Sequence, residues 1–90
     1  MKRFYIIYKG IVQGVGFRYT LTKLANMYNL TGFCENLDNG DVLCEIQGNE
    51  ESITAFIKNS VQPRHYIFVE DYSVKEIDVD NTERYFNVVY

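Results

Sequence analysis

The order in which helix-like and strand-like hydrophobic patterns follow one another along the chain constrains its fold more than any other feature. Apolar residues recur at helical spacing in two segments, and the segments around them have the β-branched and aromatic composition of strands. The predicted elements are a strand at 3–12, a helix of about three turns from Phe17 that Asn29 closes, strands at 31–36 and 42–47, a helix within 48–61 capped by Asn49, and strands at 66–77 and 85–90. This βαββαβ order with a short terminal strand is satisfied by an α+β two-layer sandwich, in which two helices cover one face of an antiparallel sheet.

The length of the chain limits it to one domain. Ninety residues leave no room for two hydrophobic cores, and the 47% of aliphatic and aromatic residues suffice for one of modest size. No repeat, low-complexity tract or linker interrupts the sequence. We therefore predict a single domain over residues 1–90.

The hairpin between the second and third strands can be assigned a register. Asn-Gly at 39–40 is a strong hairpin signal, but a two-residue loop would oppose Glu35 to Cys44 and turn a carboxylate towards the core. A three-residue loop instead opposes Cys34 to Cys44, so that both cysteines and Asn36 lie on the helix-covered face. We predict this second register. It leaves on the bare face Glu35, Leu43, Glu45 and Gln47.

Charge and composition exclude several classes of function. The net charge of −3 disfavours nucleic-acid binding, which needs a basic face. No apolar run reaches the roughly 20 residues of a membrane span, and the start of the chain lacks a signal-peptide pattern, so we expect a cytoplasmic location. The spacing of Cys34, Cys44 and His65 does not fit a zinc site. We expect no metal, no cofactor, and two reduced thiols.

The segment GIVQGVGFR, residues 10–18, is the candidate binding loop. Gly14 and Gly16 free the backbone to turn its N–H groups one way, and the loop runs into the first turn of a helix, where amides lack internal partners. Arg18 adds a planar fork of donors that matches phosphate oxygens. The pattern predicts a phosphate or carboxylate cradle; a tight strand-to-helix turn with a surface arginine is the alternative. It matches neither a Walker loop nor a dinucleotide-binding fingerprint.

Three motifs resemble those of the acylphosphatase family. GIVQGVGFR is similar to the first family signature, and GFCENLDNGDV at 32–42 is similar to the second. The closing motif F-x-V-x-Y is matched by Phe86, Val88 and Tyr90. Cys34 departs from the valine usual at its position, Asn39 departs from a common acid, and QPRHYIF at 62–68 matches the family poorly. The similarity covers nearly the whole chain, and it agrees with a ferredoxin-like two-layer sandwich.

The resemblance implies hydrolysis of an acyl phosphate to a carboxylate and inorganic phosphate, without a metal. It assigns phosphate binding to Arg18 and to the backbone amides of Gly14, Val15, Gly16, Phe17 and Arg18, and it assigns orientation of the attacking water to Asn36. The physical chemistry agrees. The carboxylate is a good leaving group, so positioning and charge stabilisation can supply most of the acceleration. A neutral Asn can hold water without repelling the phosphoryl group.

Three alternative functions remain open at this stage. They are an inactive domain of the same fold that senses a phosphorylated metabolite or binds a protein, an RNA-binding sandwich, and a carbamoyl-phosphate-hydrolysing domain of the kind found at the start of larger maturation proteins. The charge disfavours the second, and the absence of a cysteine-rich continuation disfavours the third. We expect a monomer whose partners are a small acyl phosphate and, in the loop, inorganic phosphate or another anion, with no nucleic acid and no membrane.

Overall fold

The computed structural model describes residues 1–90 and contains every predicted element. The strands are β1 (Lys2–Ile11), β2 (Thr31–Asn36), β3 (Val42–Gly48), β4 (Phe68–Ile77) and β5 (Phe86–Val89), and the helices are α1 (Phe17–Met27) and α2 (Glu50–Ser60). Each boundary lies within two residues of the predicted one. Neither helix is long and apolar enough to cross a membrane.

The five strands form one sheet in the order β4-β1-β3-β2-β5. The pairs β1–β3, β1–β4 and β2–β3 are antiparallel, as predicted, whereas β5 lies parallel to β2. The parallel pair follows from the path of the chain. Strand β4 ends on the same side of the sheet where β2 begins, so the segment 78–85 crosses there to the opposite edge and β5 runs alongside β2.

Both helices pack on one face of this sheet and enclose a single apolar core. Helical spacing predicts an apolar face of α1 at Phe17, Leu21, Leu24, Ala25 and Tyr28; the first four are buried, and Tyr28, at the C-cap, is partly buried. In α2 the helical spacing predicts a buried face of Ile53, Phe56, Ile57 and Val61, and this prediction needs a correction, because Ser60 is fully buried while Ile57 and Val61 are only partly so. The Ser60 hydroxyl is satisfied there, since it lies 2.7 Å from the hydroxyl of the buried Tyr8 and donates to the carbonyl of Ile57.

The predicted hairpin register is confirmed. Cys34 opposes Cys44, Asn36 opposes Val42, and both thiols are free and fully buried on the helix-covered face. The opposite face is less bare than its sequence indicates, because the segment 78–85 lies across it. Gln47 is buried there, and its side-chain amide both donates to the carbonyl of Asp80 and accepts from the amide of Asp80.

An arginine anchors this crossing segment to the sheet. Arg3 is almost fully buried, and its guanidinium donates to Glu83 at 2.7 and 3.1 Å and to Glu45 at 2.9 Å. The hydrogen bond to Glu83 raises the pKa of Arg3, although burial opposes it. The segment that leads into β5 is therefore fixed by a buried ion pair, and β5 carries residues that border the candidate site.

A β-bulge shapes β1 just before the candidate loop. The register with β4 shifts between Lys9 and Gly10, and Gly10 has a φ of +132°. A Cβ at Gly10 would collide with the backbone oxygen of Phe68 and stand 2.7 Å from the amide nitrogen of Glu70. The first glycine of the motif is thus required by the sheet, not by a ligand.

Candidate active site

The loop between β1 and α1 has the backbone geometry of an anion nest. Gly14 has a φ of +71° and Gly16 a φ of +83°, while the intervening Val15 has a negative φ. Such an alternation points successive N–H groups into one concavity. A Cβ at either glycine would meet no atom within 4 Å, so the space above both is open. Residues other than glycine rarely adopt a positive φ, which explains why glycine occupies both positions.

The N-terminus of α1 leaves its amides available to a ligand. Gly16 occupies the N-cap without a side-chain hydrogen bond, and the first turn contains no acidic residue. In α2, by contrast, Asn49 accepts hydrogen bonds from the amides of Glu51 and Ser52. The positive end of the α1 dipole is consequently not neutralised by the chain itself.

A cavity of about 340 Å³ lies over this loop and collects the predicted residues. Arg18 and Asn36 both border it, as do Gly14, Gly16 and Phe17. Val15 does not border it, because its side chain packs against the core and fixes the middle of the loop. The full lining is Val12, Gly14, Gly16, Phe17, Arg18, Tyr19, Thr22, Asn36, Val88 and Tyr90. His65, which the sequence did not assign to catalysis, is absent from it.

Asn36 contributes an unsatisfied polar atom to the cavity. It is the last residue of β2 and shares the helix-covered face with Cys34, which turns its side chain towards the loop. Its Oδ1 is buried and has no hydrogen-bond partner within the protein. Leaving a buried acceptor unpaired costs about 1–3 kcal/mol, so such an atom is typical of a site that binds a donor.

Gln13 joins the two motifs, a role the sequence did not reveal. Its side-chain amide donates to the carbonyl of Leu37 at 2.7 Å and to the carbonyl of Asp41 at 2.8 Å. Both acceptors belong to the hairpin that follows Asn36. Gln13 thus ties the nest to the strand end that carries Asn36. In the sequence, the only indication of a role for Gln13 was its position within the segment GIVQGVGFR.

Tyr90 is a second residue that contributes to the cavity; the sequence analysis matched it to the closing motif but assigned it no function. Because Cys34 pairs with Val88, the side chains of Val88 and Tyr90 fall on the same face as Cys34 and Asn36. The Tyr90 ring covers the guanidinium of Arg18, with Cζ 5.0 Å from the ring centroid. This distance fits a cation–π contact.

The electrostatics of the cavity are dominated by one positive charge. Arg18 carries the only charged side chain of the lining, and it takes part in none of the side-chain ion pairs of the chain. Beneath it, the Cys34 thiol lies 3.9 Å from the carbonyl oxygen of Arg18. Burial raises the pKa of Cys34 to about 12, although the charge of Arg18 lowers it somewhat. This cysteine therefore stays protonated at neutral pH and cannot act as a nucleophile.

An amide nest, an unpaired guanidinium and an unsatisfied asparagine around one cavity define an anion-handling site on an α+β sandwich. Comparisons with known proteins identify its family. A family model described as acylphosphatase matches residues 4–88. An acylphosphatase of Clostridium acetobutylicum is 37% identical over 90 residues, covering 100% of this chain and 99% of the relative. The chain belongs to the acylphosphatase family, and it is an enzyme that hydrolyses acyl phosphates.

Solved structures agree with this assignment. The crystal structure of acylphosphatase from Bacillus subtilis superposes with a TM-score of 0.94 at 33% identity, and the match covers 100% of both chains. A structure of full-length HypF in a phosphate- and nucleotide-bound form superposes with a TM-score of 0.91 at 32% identity. That match covers 99% of this chain but 12% of the HypF chain. The predicted ferredoxin-like α+β fold is confirmed.

Proposed function

We propose that this protein hydrolyses acyl phosphates without a metal ion, by holding the phosphoryl group at Arg18 and the loop amides while Asn36 orients the attacking water. The observation that carries the proposal is the shared cavity. It brings Arg18, the glycine nest and the unpartnered Oδ1 of Asn36 together. Each group matches a different need of the same reaction.

Binding uses the two sources of positive potential. The phosphoryl oxygens enter the nest, where the amides of residues 14–18 donate hydrogen bonds. The guanidinium of Arg18 supplies a fork of donors for two of those oxygens. Because no Asp or Glu side chain borders the cavity, no side-chain carboxylate competes with the substrate for this charge.

Asn36 places the nucleophile. Its Oδ1 accepts a hydrogen bond from a water molecule and holds the water oxygen in line with the bond to be broken. That oxygen bonds to phosphorus while the bond between phosphorus and the acyl oxygen breaks. The acyl group leaves as a carboxylate, and the displaced water proton is retained by the phosphate product or released to solvent. A carboxylate is stable as an anion, so no general acid is needed.

The residues at the site suit arginine-based rather than metal-based charge stabilisation. No Asp, Glu, His or Cys side chain borders the cavity, whereas protein-bound Mg²⁺ prefers oxygen ligands that include carboxylates. Arg18 and the amides occupy the place where the charge of the phosphoryl group develops. The cavity is formed within one chain. We therefore propose a monomer that acts on a small molecule in the cytoplasm, without a nucleic-acid or membrane partner.

The test is hydrolysis of benzoyl phosphate, with and without a chelator, by the wild type, Arg18→Ala, Arg18→Gln and Asn36→Ala. Lys23→Ala is the matched control, since it removes a positive charge from the same helix outside the cavity. We expect the wild type and the control to turn over equally in chelator. Both Arg18 variants should lose turnover and inhibition by inorganic phosphate, because the charge binds the anion.

The Asn36→Ala variant distinguishes a role in orienting the attacking water from a role in binding the phosphoryl group. We expect kcat to fall by about 10²-fold or more, the size of effect seen when one oriented polar group is removed from an active site. Inhibition by inorganic phosphate should persist. A raised KM with unchanged kcat would contradict the water-orienting role. A folded wild type without turnover would favour the inactive-domain alternative, and loss of turnover in chelator would overturn the metal-free mechanism.

A further inference from the structure

The cavity extends beyond the groups that the phosphoryl chemistry uses. Apart from the buried Val12 and from Thr22, whose hydroxyl donates to the carbonyl of Arg18, its remaining border is formed by Tyr19, Val88 and Tyr90, which we call the acyl wall. The nest and Arg18 fix one end of the substrate. The acyl group must therefore leave the nest along this wall, because core residues close the other side at Val12 and Phe17, both fully buried.

The acyl wall exposes apolar surface that the fold itself does not use. Tyr19 is 72% exposed and Tyr90 is 99% exposed. Tyr19 follows Arg18 directly in the first turn of α1, yet it forms none of the aromatic pairs of the chain. Packing therefore does not explain a large aromatic side chain at this position. A substrate group lying against it would gain contact and bury its ring.

The wall also lacks any partner for a charged acyl group. Arg18 is the only cation that borders the cavity, and the phosphoryl group occupies it. Lys9 is committed elsewhere, since its ammonium lies 2.6 Å from the carboxylate of Asp41. With a net charge of −3, the chain further disfavours a second negative charge on the substrate.

We propose that Tyr19 is a specificity-determining residue that selects acyl phosphates whose acyl group is uncharged and apolar. The inference rests on the proposed function and names its substrate class. An apolar acyl chain lies against the Tyr19 ring and Val88, whereas an acyl group with a second anionic group meets the same wall without a counter-charge. Small acyl groups such as acetyl do not reach far along it.

The experiment compares acetyl, butyryl and hexanoyl phosphate, whose parent acids are of nearly equal strength, so that the leaving group does not set the difference among them. Succinyl phosphate has a more basic leaving group, and its comparison with butyryl phosphate therefore uses KM. We would measure kcat and KM for acetyl, butyryl and hexanoyl phosphate, and for succinyl phosphate, which replaces the terminal methyl of the butyryl group by a carboxylate. The proteins are the wild type, Tyr19→Ala and Tyr19→Phe. Tyr66→Ala is the control, because Tyr66 is an exposed tyrosine outside the cavity.

We expect the wild-type kcat/KM to rise from acetyl to hexanoyl phosphate, and we expect the KM for succinyl phosphate to be about tenfold higher than the KM for butyryl phosphate. Tyr19→Ala should lower the hexanoyl-to-acetyl ratio by about five- to tenfold, chiefly through KM. Tyr19→Phe and Tyr66→Ala should keep the wild-type ratio. A hexanoyl-to-acetyl ratio that does not change in Tyr19→Ala, or a KM for succinyl phosphate equal to that for butyryl phosphate, would overturn the inference. If acetyl phosphate itself is not hydrolysed, the proposed function fails first.

Discussion

The side-chain amide of Gln13 lies 2.8 Å from the carbonyl oxygen of Asp41, and through this contact the nest is fixed to the hairpin beyond Asn36. The same amide reaches the carbonyl of Leu37. Asp41 is held in turn by Lys9 and by the side chain of Asn39. The two halves of the catalytic cavity therefore share one hydrogen-bonded support, and neither can shift independently of the other.

Replacing Gln13 by Met tests this coupling. Methionine keeps the length of the side chain but removes both donors, and we expect the free energy of unfolding to fall by about 1–2 kcal/mol. The nest and Asn36 then lose their fixed separation, so kcat should fall and KM should rise together. Steady-state kinetics and urea denaturation check this. If kcat stays at the wild-type value in a destabilised Gln13→Met, the support is structural only.

The contact between Tyr90 and Arg18 predicts a separate effect on anion binding. The Tyr90 ring restricts the guanidinium, so Tyr90→Ala should weaken inhibition by inorganic phosphate by about two- to fivefold, the range expected for an exposed cation–π contact. Inorganic phosphate carries no acyl group, and its inhibition constant therefore isolates the effect on Arg18. Tyr90→Phe retains the ring and should bind phosphate like the wild type. Equal loss in both variants would show that the hydroxyl, not the ring, matters.

Two glycines of one motif should respond to alanine in different ways. At Gly10 a Cβ would meet the backbone of β4, and we expect Gly10→Ala to lose about 2–4 kcal/mol of stability while its folded fraction remains active. At Gly16 no atom obstructs a Cβ, so Gly16→Ala should lose about 1–2 kcal/mol from its positive φ. Its methyl group also enters the anion-binding space and should raise KM. Thermal denaturation and kinetics on matched folded fractions distinguish the two.

The buried thiols predict a loss of stability in alkali. Burial raises the pKa of Cys34 from 9.0 to about 12, so the native state keeps this proton between pH 9 and 12 while the unfolded state releases it. Fewer protons are then bound in the unfolded state, and stability falls as the pH rises, by up to about 1.4 kcal/mol per pH unit for each such thiol. Burial raises the pKa of Cys44 in the same direction.

Cys34→Val isolates one of these contributions, because valine is of similar size and does not titrate. Urea denaturation from pH 8 to 10.5 should show a shallower decline for the variant than for the wild type. The remaining decline comes from Cys44 and from Tyr8, whose pKa burial also raises. Parallel curves for the two proteins would show that Cys34 loses its proton in the folded state.

The ion pair that anchors the crossing segment predicts a large loss of stability. Arg3→Met leaves Glu83 and Glu45 facing each other without their shared cation, and we expect a loss of about 3–5 kcal/mol. Glu83→Gln keeps a hydrogen-bond acceptor and should cost less. Chemical denaturation of the two variants checks the order. A smaller loss in Arg3→Met than in Glu83→Gln would contradict the assigned role of the guanidinium.

Much of the fold follows from local patterns in the sequence. Helical spacing identified the buried face of α1, and the cost of burying Glu35 selected the hairpin register that opposes Cys34 to Cys44. These inferences depend on neighbours in sequence or on one hairpin. The parallel pairing of β5 and the burial of Gln47 depend instead on where the segment 78–85 crosses the sheet. No local pattern encodes that crossing.

The residues of the candidate site also fall into those that local sequence predicts and those that depend on the folded sheet. Arg18, Asn36 and the nest glycines carry motif signals, and the cavity brings them together. The contributions of Gln13 and Tyr90 were not predicted, because each acts on a residue that is distant in sequence. The covering ring of Tyr90 depends on the register between β5 and β2. That register exists only in the folded sheet.

The parallel docking of β5 also bears on how the enzyme becomes active. The nest forms within a short local segment, whereas Val88 and Tyr90 reach it only when β5 pairs with β2, whose partner residues are far apart in sequence, and contacts of this kind are slow to form in folding. Catalytic competence should therefore lag behind formation of the β1–β3 core during refolding. Recovery of turnover during refolding should therefore report the docking of β5 against β2.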